Sequence, residues 1–436
     1  MSFSALLGAM QRAGGSLHSA IARELGDDAR TGAGLFCASS AGIRKGDAVL
    51  QVPLRCVLSR ERASRELRRL AGGEEERAEG EVDALLLYLV VARLAMQRRE
   101  DGFLPPHLHA YIALLPRTHL LPLFFCPAEL ALLLGTPLLA FARAQQAEAK
   151  RDAARAQTWI ERCLGWHIEQ QQMLQLWSWA KATYSSRAFP PSLAGLDDAA
   201  GPILIPLMDA GNHRRGAQVT WSCVAGNDDT NNSTTTTTTA AAAGEVETEE
   251  KKERFVQWTI EEEVLPGQQV CNNYGAKSNE EFLASYGFVD ATACGVDDVL
   301  SLRLGGASSS SSSSSSSGAA QSAVASAAES RAQAQPQAQP QAQPQTHYWR
   351  IESAAPASLL SELHASLGHA SCSSAAPGGD GAAARGALQE RGEVMELLEA
   401  LLCARRQSFK RAEREMDWGA AEVRAQVAAM VRVYRK

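Results

Sequence analysis

The sequence predicts an α+β fold, and three observations carry that expectation. Short apolar segments bounded by glycine and proline occupy residues 30–58 and recur between residues 203 and 304. Helix-forming sequence fills residues 81–180 between them. A second helix-forming region follows, strongest at residues 387–406 and 420–435.

In chain order, residues 3–25 read as an amphipathic first helix. The first 23 residues lack acids and contain Arg12 and Arg23, so a transit-like leader is the other reading of this segment. Gly32 and Gly34 break the chain ahead of a short apolar strand, Leu35-Phe36-Cys37-Ala38. Lys45-Gly46 then turns into a second strand over residues 48–53. Residues 85–96 form a strongly apolar helix, and residues 140–164 mix Ala, Glu, Arg and Gln as a long helix does. Phe255-Val256-Gln257-Trp258-Thr259 and Val299-Leu300-Ser301-Leu302-Arg303-Leu304 read as strands.

Low-complexity stretches interrupt this pattern. Residues 227–252 hold a threonine run, an alanine run and an acidic cluster, and residues 305–346 hold polyserine and Ala-Gln-Pro repeats. Both are expected to be disordered, because they bury too little apolar surface to offset the entropy of ordering. The second reads as a spacer after the last strand.

Composition narrows the function. A net charge of −6 argues against a general nucleic-acid binder, which needs Lys and Arg in excess. The longest apolar run, residues 84–92, is far short of the ~20 residues of a membrane span. The nine cysteines are scattered singly, without a Cys-x-x-Cys pair, as in a reduced intracellular protein. His107, His109 and His119 lie among prolines without acidic or cysteine partners, so no metal is expected there.

The chemistry gathers in two segments. The first runs Ile203-Leu204-Ile205-Pro206-Leu207-Met208-Asp209-Ala210-Gly211-Asn212-His213, an apolar stretch ending in polar groups suited to a ligand. The second, residues 270–289, sets Tyr274-Gly275 and Tyr286-Gly287 twelve residues apart. Between them Ser278 and Glu281 have capping-box spacing, so a short helix is expected to start near Asn279.

Together these segments resemble the SET-domain methyltransferases, in the branch that contains the Rubisco large-subunit lysine methyltransferase and the actin-histidine methyltransferase. That branch carries "D-x-x-N-H", matched by Asp209, Asn212 and His213. It then carries "Y-[GD]…K/R-S-N-x-E-[LF]…Y/S-G-F", matched by Tyr274-Gly275, Lys277-Ser278-Asn279, Glu281-Phe282 and Tyr286-Gly287-Phe288. Tyr111-Ile112-Ala113-Leu114-Leu115-Pro116 is similar to its "Y-x-x-[IL]-L-P", and Ser186-Arg187-Ala188-Phe189 to its "S-R-A-F".

The resemblance implies a knotted β-rich core interrupted by a helical insertion, with a small helical domain after it. The division it implies is 1–80 and 191–304 for the core and 81–190 for the insertion. A linker at 305–346 and a shortened helical domain at 347–436 complete it. The activity implied is methylation of a protein lysine with S-adenosyl-L-methionine as cofactor, by a monomer needing no nucleic acid or membrane. Tyr274 stands where the family has its catalytic tyrosine, and Tyr286 where a second tyrosine lines the lysine channel. Thr31, Gly32 and Ala33 would hold the methionine part of the cofactor, and Arg187 its carboxylate. Asn212 and His213 would contact the cofactor with Asp209 supporting their loop, and Phe288 would stack on adenine. Phe189 suits the apolar wall of a lysine channel, whereas the histidine-methylating relative carries an amide at the aligned place. Histidine methylation and a catalytically silent protein-binding module are the alternatives, and a cytoplasmic, nuclear or plastid compartment stays open.

Overall fold

The first helix is shorter than the sequence suggests. In the computed structural model α1 runs Phe3–Arg12, and Gly14 then takes a φ of 77° that glycine adopts without steric cost. The Gly14-Gly15 pair turns the chain into β1 (Ser16–Leu17) and β2 (Ile21–Leu25), so residues expected as the end of a helix are strands. The structure describes residues 3–25, 33–72, 82–100, 103–133, 136–225, 253–290, 299–303, 346–350 and 360. Thr31, Gly32, the insert at 227–252, the tract at 305–345 and the helical segments at 387–406 and 420–435 lie outside the described residues.

The chain divides into two compact bodies, residues 1–117 with 151–275 and residues 118–150 with 276–436. In the first body, β2 pairs antiparallel with β3 (Ala33–Cys37). Gly34 lies inside β3 opposite Glu24 and does not break it. β4 (Ala48–Pro53) lies between β1 and the long strands β7 (Val219–Ala225) and β8 (Arg254–Ile260), giving the sheet order β1-β4-β8-β7. Along β8 the period of two is clean: Val256, Trp258 and Ile260 are buried, and the residues between them are less so. β3 also pairs with β9 (Gln269–Val270), which delivers the chain to Tyr274.

Helices α2 (Arg60–Leu70), α3 (Ala84–Arg98), α4 (Pro106–Leu114) and α7 (Gln170–Arg187) complete this body. α3 is apolar on nearly every face because it is buried on nearly every face, from Ala84 to Ala95. Asp83 caps it by accepting from the Leu85 and Leu86 amides, and its second oxygen takes Arg60 at 2.7 Å. α7 ends at Arg187, after which β5 (Ala188–Phe189) pairs with β6 (Ile203–Leu204).

His107 on α4 sets an acid limit on this body. Burial, with Arg62 and Arg55 nearby, pushes its pKa from 6.5 down to about 4. Its Nε2 is buried without a hydrogen-bond partner among the described residues. The unfolded chain therefore takes up this proton first as pH falls. The contribution of neutral His107 is fully present above about pH 6.5 and is lost between there and about pH 4. His107→Gln is expected to flatten the fall in melting temperature across that window, and an unchanged slope would contradict this origin.

The second body contains α5 (Pro127–Ala131), the start of α6 (Pro137–Leu164) and α8 (Asn279–Tyr286). Its core joins Phe125, Leu130, Leu132, Leu133 and Leu138 with Leu283 and Ala284 of α8. Ser278 and Glu281 form the expected capping box at the start of α8. Gly287 ends that helix with a φ of 79°, and a Cβ added there would stand 3.1 Å from the Leu120 carbonyl carbon. Gly287→Ala is thus expected to destabilise this body by about 1–3 kcal/mol, since left-handed strain and a backbone contact add. Calorimetry that finds no lowered transition would refute this.

The strand at residues 346–350 was not expected from the sequence. β10 (Val299–Arg303) pairs antiparallel over its whole length with β11 (Thr346–Arg350). The serine and Gln-Pro tract therefore connects two paired strands.

Candidate active site

Two loops of the first body meet at Tyr274. Asn272 donates its amide to the Asn212 carbonyl at 2.7 Å and accepts from the Arg214 amide at 2.9 Å, so His213 and Asn272 form a parallel bridge. This registers the His213 segment against the Tyr274 segment. The two asparagines before Tyr274 then bend the chain through their own side chains. Asn272 Oδ1 accepts from the Asn273 amide and Asn273 Oδ1 from the Gly275 amide, both at 2.9 Å. Gly275 completes the turn with a φ of 91°.

The turn fixes Tyr274 on three sides. Its amide donates to His213 Nδ1 at 3.1 Å, its ring stacks on the imidazole at 5.1 Å, and its hydroxyl donates to the Gly211 carbonyl at 2.9 Å. Gly211 is needed at this spot, because a Cβ would lie 2.4 Å from the buried ring of Trp258. Just upstream, Leu207 has a φ of 71° and a ψ of −37° in a fully packed position. A leucine there costs about 1–3 kcal/mol, which the surrounding packing must supply. The strain sits next to the polar residues of the site.

A charged cluster lies behind the Asp209–His213 loop. Arg187 Nη1 donates to the Asp209 carbonyl at 2.8 Å and to Asp209 Oδ2 at 3.0 Å. The Tyr111 hydroxyl donates to the same Oδ2 at 2.9 Å. The Asp209 side chain is 4% exposed and that of Arg187 25%. Burial opposes the charge on Arg187, but Asp209 outweighs it and raises the pKa. Arg23 on β2 is also within electrostatic reach: burial and then Arg187 lower its pKa, and Asp209 acts the other way. Two guanidinium groups thus face one carboxylate.

These residues fit a ligand that carries a carboxylate. Arg187 Nε is buried with no acceptor among the described residues, a donor that an added carboxylate would satisfy. Gly34 adjoins Gln269 and Asn212: a Cβ there would fall 2.1 Å from Gln269 Nε2 and 3.1 Å from Asn212 Nδ2. Asn212 Nδ2 in turn donates to the Ala33 carbonyl at 3.4 Å. The missing side chain at Gly34 leaves room for the Gln269 and Asn212 side chains to pack against the backbone of β3.

Phe189 is buried and meets Trp221 edge-on at 5.7 Å, which makes an apolar aromatic pair. Tyr286 and Phe288 belong to the second body. Tyr286 meets Phe282 edge-on at 5.9 Å and Phe288 at 6.1 Å, while Phe282 and Phe288 stack at 4.9 Å. Burial, reinforced by Glu281, pushes the Tyr286 pKa up to about 12, so its hydroxyl keeps its proton at neutral pH. The structure therefore brings together Ala33, Arg187, Asp209, Asn212, His213 and Tyr274. Tyr111, Arg23 and Trp221 were not singled out for the site by sequence. Tyr111 did stand in a recognisable segment, but nothing local relates it to a carboxylate 98 residues away.

No protein-family profile matches the chain. It is 29% identical over 185 residues to the ribosomal lysine N-methyltransferase set10 of Schizosaccharomyces pombe, a match covering 41% of this chain. The chain spans 27% of the length of that curated relative. Among solved structures it is similar to the SET domain of LSMT bound to lysine and AdoHcy. That likeness has a TM-score of 0.59 and 20% identity, and covers 100% of this chain and 89% of the other. Rubisco LSMT bound to AdoMet is similar at a TM-score of 0.56 and 19% identity, with the same coverage.

Proposed function

We propose that this chain, which has the SET-domain fold, is an S-adenosylmethionine-dependent protein-lysine N-methyltransferase acting on a non-histone protein. The observation that carries the proposal is Tyr274, held by the His213 ring and the Gly211 carbonyl, near two partly buried guanidiniums that face one carboxylate. When bound, S-adenosylmethionine supplies an electrophilic methyl group on a sulfonium.

The chain's own residues then have separable tasks. Arg187, through its Nε, and the polar groups of the Ala33–Asn212 pair would bind the amino-acid end. His213 fixes the turn that carries Tyr274. The Tyr274 hydroxyl orients the lysine amine, which must be neutral to attack. Deprotonating a free lysine at pH 7 costs ~4.6 kcal/mol. An apolar wall such as Phe189 with Trp221 lowers that cost, because desolvation disfavours ammonium. The same apolar wall favours lysine over histidine, since it offers no amide to an imidazole.

The yeast relative points to ribosomal proteins as the first substrates to try. Incubation of purified ribosomal proteins with methyl-labelled S-adenosylmethionine is expected to yield label on methyllysine after hydrolysis. Label on methylhistidine would replace the lysine reading. A folded protein that binds the cofactor yet labels neither these proteins nor a whole-cell extract would be a binding module.

A further inference from the structure

We propose that Tyr111 is a positioning residue for the cofactor site: its hydroxyl holds Asp209 so that Arg187 keeps a donor for the cofactor carboxylate. This rests on the methyltransferase reading above and adds a residue from a helix that the site does not otherwise use.

Asp209 Oδ2 accepts from two donors, Tyr111 at 2.9 Å and Arg187 Nη1 at 3.0 Å. An ionised carboxylate only accepts, so the phenol must be the donor. Tyr111 is buried at 2% exposure, and burial first, then Asp209, raises its pKa well above the ordinary value. It therefore stays protonated across the working pH range. No other hydrogen bond to the Asp209 carboxylate is recorded among the described residues.

The geometry has a consequence for charge. With the phenol on Oδ2, Arg187 makes one bond to the side chain and one to the Asp209 carbonyl, both from Nη1. Its Nε stays buried and unused. Without the phenol, nothing opposes rotation of the carboxylate into a two-bond fork across Nε and Nη, the preferred arrangement of an Arg–carboxylate pair. That arrangement would occupy the donor the cofactor needs. Tyr111 thus keeps an internal carboxylate from replacing the external one. It also ties α4 to the site, since Tyr111 is anchored between the buried Ala110 and Ile112 on that helix.

The test compares two ligands by calorimetry, S-adenosylhomocysteine, which has the carboxylate, and 5′-methylthioadenosine, which lacks it. Tyr111→Phe keeps the ring and removes only the hydroxyl. It is expected to weaken S-adenosylhomocysteine about tenfold, the scale of one hydrogen bond to a charged group, and to leave 5′-methylthioadenosine within about twofold. In an Arg187→Met background the same change is expected to have no further effect on either ligand. If Tyr111→Phe weakens both ligands alike, or fails to fold, the tyrosine serves only the core and the proposal is overturned. A wild type that binds 5′-methylthioadenosine as tightly as S-adenosylhomocysteine overturns it through Arg187 and leaves the cofactor reading intact. A wild type that binds neither ends both.

Discussion

Replacing Tyr274 by phenylalanine is expected to lower kcat on the order of 10²-fold or more while cofactor binding changes by about threefold or less. The effect follows from how the tyrosine is held. Its amide and ring are fixed by His213, and neither contact involves the hydroxyl. The hydroxyl donates to the Gly211 carbonyl, which leaves its oxygen lone pairs able to accept from an amine. Phenylalanine keeps the stack and the turn but loses that acceptor, so the amine is no longer aligned. A variant with unchanged kcat would remove Tyr274 from the chemistry. Equal loss of kcat and of cofactor affinity would instead make its hydroxyl a structural support for the Gly211 loop.

Arg187→Ala carries the second large effect, and here stability and binding should fall together. Removing the guanidinium leaves Asp209, a side chain 4% exposed, with Tyr111 as its remaining recorded donor. Breaking a buried pair in this way costs about 3–5 kcal/mol, and the partial exposure of Arg187 brings the expectation down to about 2–4 kcal/mol. Cofactor affinity should fall by about 10²-fold, since a charge-assisted contact and the surplus positive charge disappear. Adding Asp209→Asn separates the two effects. The double variant should regain much of the melting temperature but none of the affinity. Recovery of both would show that Arg187 acts only through stability.

How much of this was legible in the sequence depends on the range of the physics involved. The capping box at Ser278 and Glu281 was readable because it is a four-residue contact, and α8 starts where it places it. β8 was readable from its alternation. The Tyr274 turn was not read from the sequence, although Asn-Asn-Tyr-Gly contains the side chains that bend it. The end of α1 was missed although its cause is local: Gly14 and Gly15 outweigh the amphipathic pattern that continues beyond them. The pairing of β10 with β11 was hidden by the long tract between two strands with no other link in sequence. Tyr111 was hidden for the same reason. A phenol in an apolar helix reads as core, and only the fold brings it to Asp209.

Among the described residues no helix is long and apolar enough to cross a membrane. The measurement that tests the central claim most directly is a calorimetric titration of the full chain with S-adenosylhomocysteine. Saturable binding to wild-type protein, lost in Arg187→Ala with Asp209→Asn and kept in Tyr274→Phe, is the expected result. Folded wild-type protein that takes up no ligand would contradict the account and leave the SET fold in another role.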